Sequence, residues 1–376
     1  MTQGRLKLDR QQFLANHWQQ TPLLIRNAIA DFEPPIDANE LAGLALEDGV
    51  ESRIIESHDD NWHLTTGPFQ EQDFNRDKPW TLLVQAVDHY IPEVAQLRQV
   101  IDFIPTWRVD DIMVSYAVDG GSVGPHYDNY DVFLLQGEGK RTWKLGQMCD
   151  EHTALRKNSS LRILEDFECT DEYTLSCGDI LYVPPGVAHW GIAEGDCTTF
   201  SIGFRAPRLQ ELVSRSVDSW LEQNSGDRFY RDPPLTSDMR PGEILPCDLA
   251  SAKQQLLSAL SQADDGIWFG ELLTEPKYPV ERPADEQALD LTSLRHIDAA
   301  VELLPDSRLA WQQQEDAIIV FANGQNLSHP TTVVDMLLAL CSGNALSGDS
   351  LTSALNNPEC AILLGQLWEL GCIDYH

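Results

Sequence analysis

The sequence predicts a mainly β protein with added α-helices, in which a β-sandwich or barrel precedes a helical segment and a small winged-helix-like domain. Three patterns support this fold class. Short apolar runs broken by Gly, Pro and Asp fill residues 111–204, as is typical of sandwiches and barrels. After Pro207, apolar residues recur at helical spacing. The C-terminal part combines helical patterns with a strand that runs into an Asn-Gly turn.

The chain length of 376 residues predicts two or three domains, at roughly 100–200 residues each. We expect residues 1–207 to form the barrel domain, 208–277 a helical region and 278–376 the winged-helix-like domain. Apolar residues make up 42% of the chain, which is enough to bury a core and excludes wholesale disorder.

The barrel domain begins with helices and short strands, and then continues as strands alone. Its first part carries a strand pattern at PLLIRNA and three helical patterns: DRQQFLANHW, ANELAGLALE and WTLLVQAVDHYIPEVAQLRQVI. The strands predicted for the barrel itself are DIMVSYAV, DVFLLQG, KRTWKLG, YTLSCGDILYVPP and CTTFSIGF. The C-terminal domain is predicted to contain a strand at DAIIVFANG and helices at TTVVDMLLALCSG and CAILLGQLWELG.

The helical region after the barrel is amphipathic. The apolar positions of its first helix share one face: Leu209, Val213, Val217, Trp220 and Leu221. A second helix is predicted to begin with Asp248 as its N-cap. Because an apolar stripe needs a partner surface, we expect a homodimer built by residues 208–260, with packing on the chain's own barrel as the alternative.

The charge balance limits the partners that the protein can bind. Lys and Arg number 26 against 59 Asp and Glu, which gives a formal net charge of −33. This excess of negative charge repels phosphate groups, so the sequence predicts no direct nucleic-acid binding. It favours a cationic partner instead. The eight cysteines are dispersed without a C-x-x-C pair, which predicts reduced thiols. Together with the polar N-terminus and the lack of a long apolar run, this predicts a cytoplasmic protein without a membrane span.

Two motifs predict a metal site. In GGSVGPHYDNYDVF, His126 and Asp128 are two residues apart, so both side chains leave the same face of an extended strand. In GDILYVPPGVAHW, a buried strand and a rigid Pro-Pro-Gly bend lead to His189 with the spacing of the second cupin motif. Two histidines and one carboxylate form the facial triad of non-haem Fe(II) oxygenases, which leaves three octahedral positions open.

The strand QGEGKRTWKLG predicts a binding site for an anion. Its odd positions Arg141, Trp143 and Leu145 share a largely apolar face, which we expect to point into the barrel. A buried arginine needs an anion, and a carboxylate suits its planar fork. Lys140 on the other face is the alternative, as is a solvated Lys-Arg pair on an edge strand.

These motifs resemble those of JmjC-type 2-oxoglutarate oxygenases, and in particular of the bacterial ribosomal oxygenases that hydroxylate an arginine of a large-subunit ribosomal protein. The resemblance covers nearly the whole chain and is sharpest over residues 111–207. It implies a double-stranded β-helix of the cupin/JmjC jelly-roll type, a helical dimerisation segment and a C-terminal winged-helix-like domain. It also implies Fe(II) as the metal, O₂ and 2-oxoglutarate as cosubstrates, and a basic ribosomal protein as the substrate.

The resemblance further implies roles for individual residues. His126, Asp128 and His189 would bind iron, and Arg141 would bind the distal carboxylate of 2-oxoglutarate, with Ser115 and Ser201 as further contacts to this cosubstrate. Residues flanking the metal ligands are expected to shape the substrate mouth or simply to pack: Tyr127, Asn129 and Tyr130. Carboxylates for a substrate arginine are expected at Asp110, Asp111 and Asp119, with turn chemistry as the alternative for the last.

Two other functions remain open on the sequence. The first is the same oxygenase chemistry on another protein residue, namely histidine or asparagine hydroxylation or methyl-lysine demethylation. The second is a non-catalytic cupin module that binds a structural metal.

Overall fold

The computed structural model describes residues 6–58, 61–157, 160–224, 226, 228–235, 240–262, 266–279, 294 and 299–376. Its β-strands are β1 Leu23–Ile25, β2 Ser52–His58, β3 Asn61–Thr66, β4 Trp80–Val84, β5 Val109–Ala117, β6 Val132–Gln136, β7 Lys140–Met148, β8 Asp171–Ser176, β9 Ile180–Val183, β10 Val187–Glu194, β11 Cys197–Phe204, β12 Ala300–Leu303, β13 Leu309–Gln313, β14 Ile318–Ala322, β15 Gln325–His329, β16 Leu346–Ser347 and β17 Ile373–Tyr375. Its α-helices are α1 Arg10–Asn16, α2 Ala38–Leu44, α3 Pro92–Ala95, α4 Leu209–Gln223, α5 Pro246–Gln262, α6 Ile267–Thr274, α7 Val334–Cys341, α8 Gly348–Asn356 and α9 Pro358–Glu369.

Two antiparallel sheets face each other in the first domain. The larger sheet has the strand order β1-β9-β6-β11-β5-β4-β2-β3, and the smaller has the order β10-β7-β8. Buried side chains from both sheets meet between them, with Leu134 and Leu181 from the large sheet against Trp143 and Leu175 from the small one. This is the jelly-roll barrel that the sequence predicts, and its interior is where the candidate site lies.

The outer face of the large sheet is covered by the N-terminal helices. Phe13 of α1 and Leu41 of α2 belong to the same buried cluster as Phe133 and Phe200 of the sheet. The Phe13 and Tyr182 rings meet edge to face with centroids 4.9 Å apart. With its outer face closed in this way, the large sheet presents its other face to the barrel interior.

One predicted helix is wrong. The segment that begins at Trp80 forms strand β4, which is hydrogen-bonded between β2 and β5. All five of its residues are buried, so the alternation that marks a half-buried strand is missing from the sequence. Helix appears only later in the segment, as α3 and as 3₁₀ stretches over Val87–His89 and Gln96–Ile101.

The helical region contains the two predicted helices, α4 and α5. The second begins at Pro246 and not after Asp248. The Asp248 carboxylate lies in the first turn and accepts a hydrogen bond of 2.8 Å from the backbone N–H of Leu245, so it caps the helix from inside. Much of the predicted apolar stripe on α4 is solvent-exposed in the single chain: Leu209, Val213 and Leu221.

The C-terminal domain has two three-stranded sheets and the helices α7 to α9 around one buried cluster. Its predicted Asn-Gly turn joins β14 to β15, and both Asn323 and Gly324 have the positive φ that this hairpin turn requires. Arg308 joins the domain to the barrel by donating to the Val109 carbonyl and to the Asp110 carboxylate, at 2.9 and 2.7 Å. No described helix is long and apolar enough to span a membrane. The predicted boundary between residues 277 and 278 lies just before residues 280–293, which are outside the described part of the chain.

Candidate active site

The structure brings His126, Asp128 and His189 together at one end of the barrel interior. One ligand atom from each residue lies within 4.8 Å of the other two. His189 Nε2 is 3.6 Å from Asp128 Oδ2, and the two imidazole rings have centroids 4.3 Å apart. Nitrogen and oxygen donors in this arrangement fit one face of an octahedral divalent metal ion.

The backbone fixes this cluster from both motifs. The peptide groups of His126 and His189 exchange two hydrogen bonds, of 3.0 and 2.8 Å, so the two motifs pair directly. Gly186 N also donates to the Asp128 carbonyl at 2.8 Å. Gly124 has a φ of +83°, and a Cβ there would come within 2.8 Å of the Trp62 ring, so glycine is required at the turn into the first motif.

Both histidines are held in a form ready to bind a metal. His126 Nδ1 contacts the Gly124 carbonyl at 3.0 Å, and His189 Nδ1 contacts the Val187 carbonyl at the same distance. Carbonyl groups accept hydrogen bonds, so Nδ1 carries the proton and Nε2 is left as the ligand atom. Burial and the neighbouring His126 lower the pKa of His189 to about 4, which keeps its imidazole neutral.

Tyr130 connects the triad to the barrel mouth. The Asp128 carboxylate, through its charge and its hydrogen bond with the phenol, raises the pKa of Tyr130, and burial adds to the shift. The phenol is therefore a neutral donor that stabilises the carboxylate. The other flanking residues lie elsewhere: Tyr127 is buried and donates to the Asp150 carbonyl at 2.7 Å, and Asn129 is exposed.

Arg141 is buried inside the barrel, whereas Lys140 is exposed. Arg141 Nη1 donates to Ser115 Oγ at 3.2 Å. Its Nε and Nη2 atoms are buried without a hydrogen-bond partner. These two N–H groups form one edge of the guanidinium, and a carboxylate matches that edge with two parallel hydrogen bonds. A buried cation with an open fork is the feature that fits a dicarboxylate cosubstrate.

Ser115 and Ser201 lie on the same face of the large sheet. In the β5–β11 register, Ser115 pairs with Thr199 and Ser201 pairs with Met113. Residues two apart on a strand share a face, so both serines face the small sheet. Ser115 is buried and contacts Arg141, while Ser201 is only partly buried. Among the described residues, the Ser115 hydroxyl therefore contacts Arg141, whereas the Ser201 hydroxyl has no hydrogen-bond partner.

The proposed substrate carboxylates are not open in the way that the sequence suggests. Asp119 accepts from the backbone N–H of Gly195 at 2.7 Å, so it holds the connection between β10 and β11 and not a turn of its own segment. Asp110 lies 2.7 Å from Arg308 and 3.3 Å from Lys277, so it joins the domains. Asp111 is buried, and it too contacts Lys277, at 2.6 Å.

Lys277 is one of the residues of this region that the sequence does not predict, together with Arg205 and Arg308. It lies 166 residues from Asp111 in the chain, and no local motif marks it. Burial opposes its charge, but Asp111 and Asp110 outweigh that effect and raise the pKa of the Lys277 ammonium. A cavity of about 700 Å³ adjoins this ion pair, between the barrel end, α4 and α6, and Tyr130 lines it.

Comparison with known families supports the architecture. Residues 96–212 match the sequence model of the JmjC domain, and residues 252–374 match that of the ROXA-like winged helix. The first match contains the triad and the second contains the C-terminal sheets.

Relatives match over the whole chain. The ribosomal protein uL16 3-hydroxylase of Escherichia coli is 34% identical over 375 residues, which cover 98% of both chains. A probable ribosomal oxygenase of Haemophilus influenzae is 34% identical over 92% of this chain and 89% of its own. Among solved structures, the ribosomal oxygenase YcfD of E. coli in complex with cobalt and 2-oxoglutarate superposes with a TM-score of 0.83 at 32% identity, covering 99% of both chains.

Proposed function

Because the chain belongs to the JmjC-type 2-oxoglutarate oxygenases, in the group of the bacterial ribosomal oxygenases, we propose that it hydroxylates an arginine side chain of a large-subunit ribosomal protein. The metal is Fe(II), the cosubstrates are 2-oxoglutarate and O₂, and the site of action is the cytoplasm. The resemblance of the motifs supports arginine as the hydroxylated residue. A ribosomal protein as the substrate is supported both by that resemblance and by the two relatives, a ribosomal protein hydroxylase and a probable ribosomal oxygenase.

One observation carries the oxygenase function. A triad of two histidines and one carboxylate shares a barrel interior with a buried arginine whose Nε–Nη2 edge has no partner. Leaving buried donors unpaired costs about 1–3 kcal/mol, so the arrangement favours an anionic ligand at that edge. A 2-oxo acid with a second carboxylate can bind a metal at one end and a cation at the other. This chain has the triad for the metal and Arg141 as the cation.

The residues of the chain divide the work. Bound Fe(II) supplies, with 2-oxoglutarate and O₂, the oxidant that inserts one oxygen atom into a substrate C–H bond, with succinate and CO₂ as the other products. His126, Asp128 and His189 would hold the metal, and Arg141, oriented by Ser115, would hold the distal carboxylate. Tyr130 would donate a hydrogen bond to Asp128 from the wall of the neighbouring cavity, through which the substrate would enter. The buried apolar side chains between the two sheets, such as Leu134 and Leu175, would help to exclude water from the interior.

Two properties of the chain support a basic protein as partner. The net charge of −33 complements a basic ribosomal protein and would speed its association. The exposed apolar stripe on α4 supports a homodimer, which would leave the acidic remainder of the surface for the substrate. The same acidity argues against direct binding of ribosomal RNA.

The experiment is intact-mass analysis of large-subunit ribosomal proteins incubated with the full chain, Fe(II), 2-oxoglutarate and O₂. We expect one protein to gain the mass of a single oxygen atom, on an arginine in tandem fragmentation. A gain on another residue contradicts the arginine assignment alone. Release of formaldehyde from a methylated peptide indicates demethylation. The absence of 2-oxoglutarate turnover with any protein favours a non-catalytic cupin module.

A further inference from the structure

Trp143 has a buried indole N–H without a hydrogen-bond partner. The residue is only 4% exposed and lies on the inward face of β7, two positions from Arg141. Its ring centroid is 5.8 Å from that of His189 and also 5.8 Å from Cζ of Arg141. The indole therefore lies close both to a metal ligand of the triad and to the arginine that the proposed function assigns to 2-oxoglutarate.

Packing fixes the direction of the indole. Trp143 pairs with Gly191 across the β7–β10 ladder. A Cβ on Gly191 would lie 2.9–3.0 Å from Cη2, Cζ3 and Cε3 of the indole, so the six-membered ring lies flat against this glycine. Nε1 is not among these three atoms, so the N–H is not the part of the indole that packs against Gly191. The buried neighbours of the indole in its cluster are aliphatic, such as Leu134, Leu145 and Leu175. Its cross-strand neighbour Tyr173 carries a hydroxyl, which donates to Asp171 and makes no hydrogen bond with the indole.

A buried indole N–H in apolar surroundings usually finds a partner, and an unmet donor costs about 1–3 kcal/mol. Two other orphaned donors lie beside it, Nε and Nη2 of Arg141. A carboxylate accepts up to about four hydrogen bonds, so two from the guanidinium edge leave capacity for a third. An anion bound at Arg141 would thus accept hydrogen bonds from the unpaired donors of both Arg141 and Trp143.

We propose that Trp143 Nε1 is a third donor to the distal carboxylate of 2-oxoglutarate and sets the preference of the site for a dicarboxylate. This inference rests on the proposed function. Trp143 would act by binding and positioning the cosubstrate, with no part in the transfer of oxygen.

The test is Trp143→Phe in the full chain, loaded with Mn²⁺ and kept without O₂. Phenylalanine keeps an aromatic ring against Gly191 but lacks the N–H. Calorimetry measures the Kd of 2-oxoglutarate and, by competition, that of 2-oxobutanoate, which lacks the distal carboxylate. Trp220→Phe is the matched control, because Trp220 Nε1 is also buried without a partner but lies on α4 outside the barrel.

We expect Trp143→Phe to weaken 2-oxoglutarate binding about tenfold or more, as for a hydrogen bond to a charged group. Binding of 2-oxobutanoate and of Mn²⁺ alone should stay unchanged, and Trp220→Phe should match the unsubstituted chain. Unchanged 2-oxoglutarate binding, or an equal loss for both oxo acids, overturns the inference. If the unsubstituted chain itself binds no 2-oxoglutarate, the proposed function fails, and this inference with it.

A second measurement covers the case in which Trp143→Phe does not fold. A crystal structure of the unsubstituted chain with Mn²⁺ and 2-oxoglutarate should place Nε1 within about 3.2 Å of a distal carboxylate oxygen. A separation beyond hydrogen-bond distance overturns the inference, whatever the variant does.

Discussion

Arg141 Nη1 donates to Ser115 Oγ at 3.2 Å, from the small sheet to the large sheet, and both residues are buried. This bond uses one end of the guanidinium and so fixes the plane of the other donors. The two N–H groups without a partner, at Nε and Nη2, are then held in a fixed orientation toward the interior. Preorganisation of this kind reduces the cost of ordering a ligand on binding.

The first prediction concerns this fork. Arg141→Ala should raise the Kd of 2-oxoglutarate roughly 10–150-fold, because a hydrogen bond to a charged group is worth about 1.5–3 kcal/mol. The KM for the protein substrate should change far less. Lys140→Ala is the control, since Lys140 is exposed on the opposite face of the same strand. If Lys140→Ala gives the larger effect, the assignment of the cosubstrate to the barrel interior is wrong.

The second prediction concerns the metal. Asp128→Ala should abolish product formation and lower Fe(II) or Mn²⁺ affinity, because it removes the only carboxylate of the triad. The far-ultraviolet circular dichroism should be unchanged, since the backbone carbonyl of Asp128, which accepts from Gly186, is retained. Calorimetric titration with Mn²⁺ measures the loss. Unreduced metal affinity would remove Asp128 from the set of ligands.

The third prediction concerns the contact between the barrel and the C-terminal domain. Burial opposes ionisation of Asp110, but Lys277, Arg308 and Arg205 outweigh it and hold the pKa of this carboxyl below its usual value. Asp110→Asn should therefore lower the free energy of urea unfolding at pH 7 by about 1–3 kcal/mol, less than for a fully buried pair. Asp316→Asn, at an exposed carboxyl between β13 and β14, is the control and should change little.

The pH dependence of that effect has a definite sign. A carboxyl whose folded pKa is depressed stabilises the fold above its unfolded pKa of about 3.9, and this contribution is lost as the pH falls through the lower folded value. The difference between Asp110→Asn and the unsubstituted chain should therefore narrow below about pH 4. A difference that grows on acidification would contradict the depressed pKa.

The fourth prediction concerns the stripe on α4. Leu209 and Val213 are 72% and 55% exposed in the single chain, which is costly for adjacent apolar side chains on one helix face. We expect light scattering to give the mass of two chains at micromolar concentration, and Val213→Asp to shift this toward one. Ser214→Asp, on the neighbouring polar face, should leave the dimer intact. A monomeric unsubstituted chain ends this proposal.

Local patterns in the sequence predict much of the barrel and mark the three candidate metal ligands, whereas their convergence in one site is predicted from the match to the cupin motifs. His126 and Asp128 are two residues apart, and the bend before His189 is marked by prolines and glycine. Strand alternation likewise predicts that Arg141 points inward and Lys140 outward, as the structure has them. These features depend on neighbours in the chain, so the sequence carries them directly.

Long-range relationships were not predictable in this way. The sequence of strand β4 predicts a helix, because the strand is buried on both faces and its residues show no alternation between apolar and polar. The pairing of Asp111 with Lys277, and of Asp110 with Arg308, joins segments more than 160 residues apart. An aspartate that is free to bind a substrate and an aspartate that is already paired with a lysine or arginine of the same chain look alike in the local sequence.

The last prediction concerns the substrate arginine and follows from that distinction. Of the three candidate aspartates, Asp119 accepts from the backbone of Gly195 between β10 and β11, and Asp110 contacts Arg308. Asp111 is 4% exposed and contacts Lys277 and Gln85. A substrate guanidinium would share or replace the Lys277 contact, because both are cations that a buried carboxylate stabilises. Asp110 faces three cations of its own chain, whereas Asp111 faces one, Lys277, so Asp111 is the candidate acceptor that we test.

Asp111→Asn should raise the KM for an arginine-containing ribosomal peptide at least tenfold, consistent with the roughly 2–5 kcal/mol lost when one partner of a buried charge pair is removed. The KM for 2-oxoglutarate should not change. Asp119→Asn is the matched control, and we expect it to hydroxylate the peptide at close to the unsubstituted rate. The peptide with its arginine replaced by glutamine should be a poor substrate for all three proteins. If Asp111→Asn keeps full kcat/KM on the arginine peptide, the arginine-directed part of the proposal loses its structural support, whereas the oxygenase assignment, which depends on the triad and Arg141, would stand.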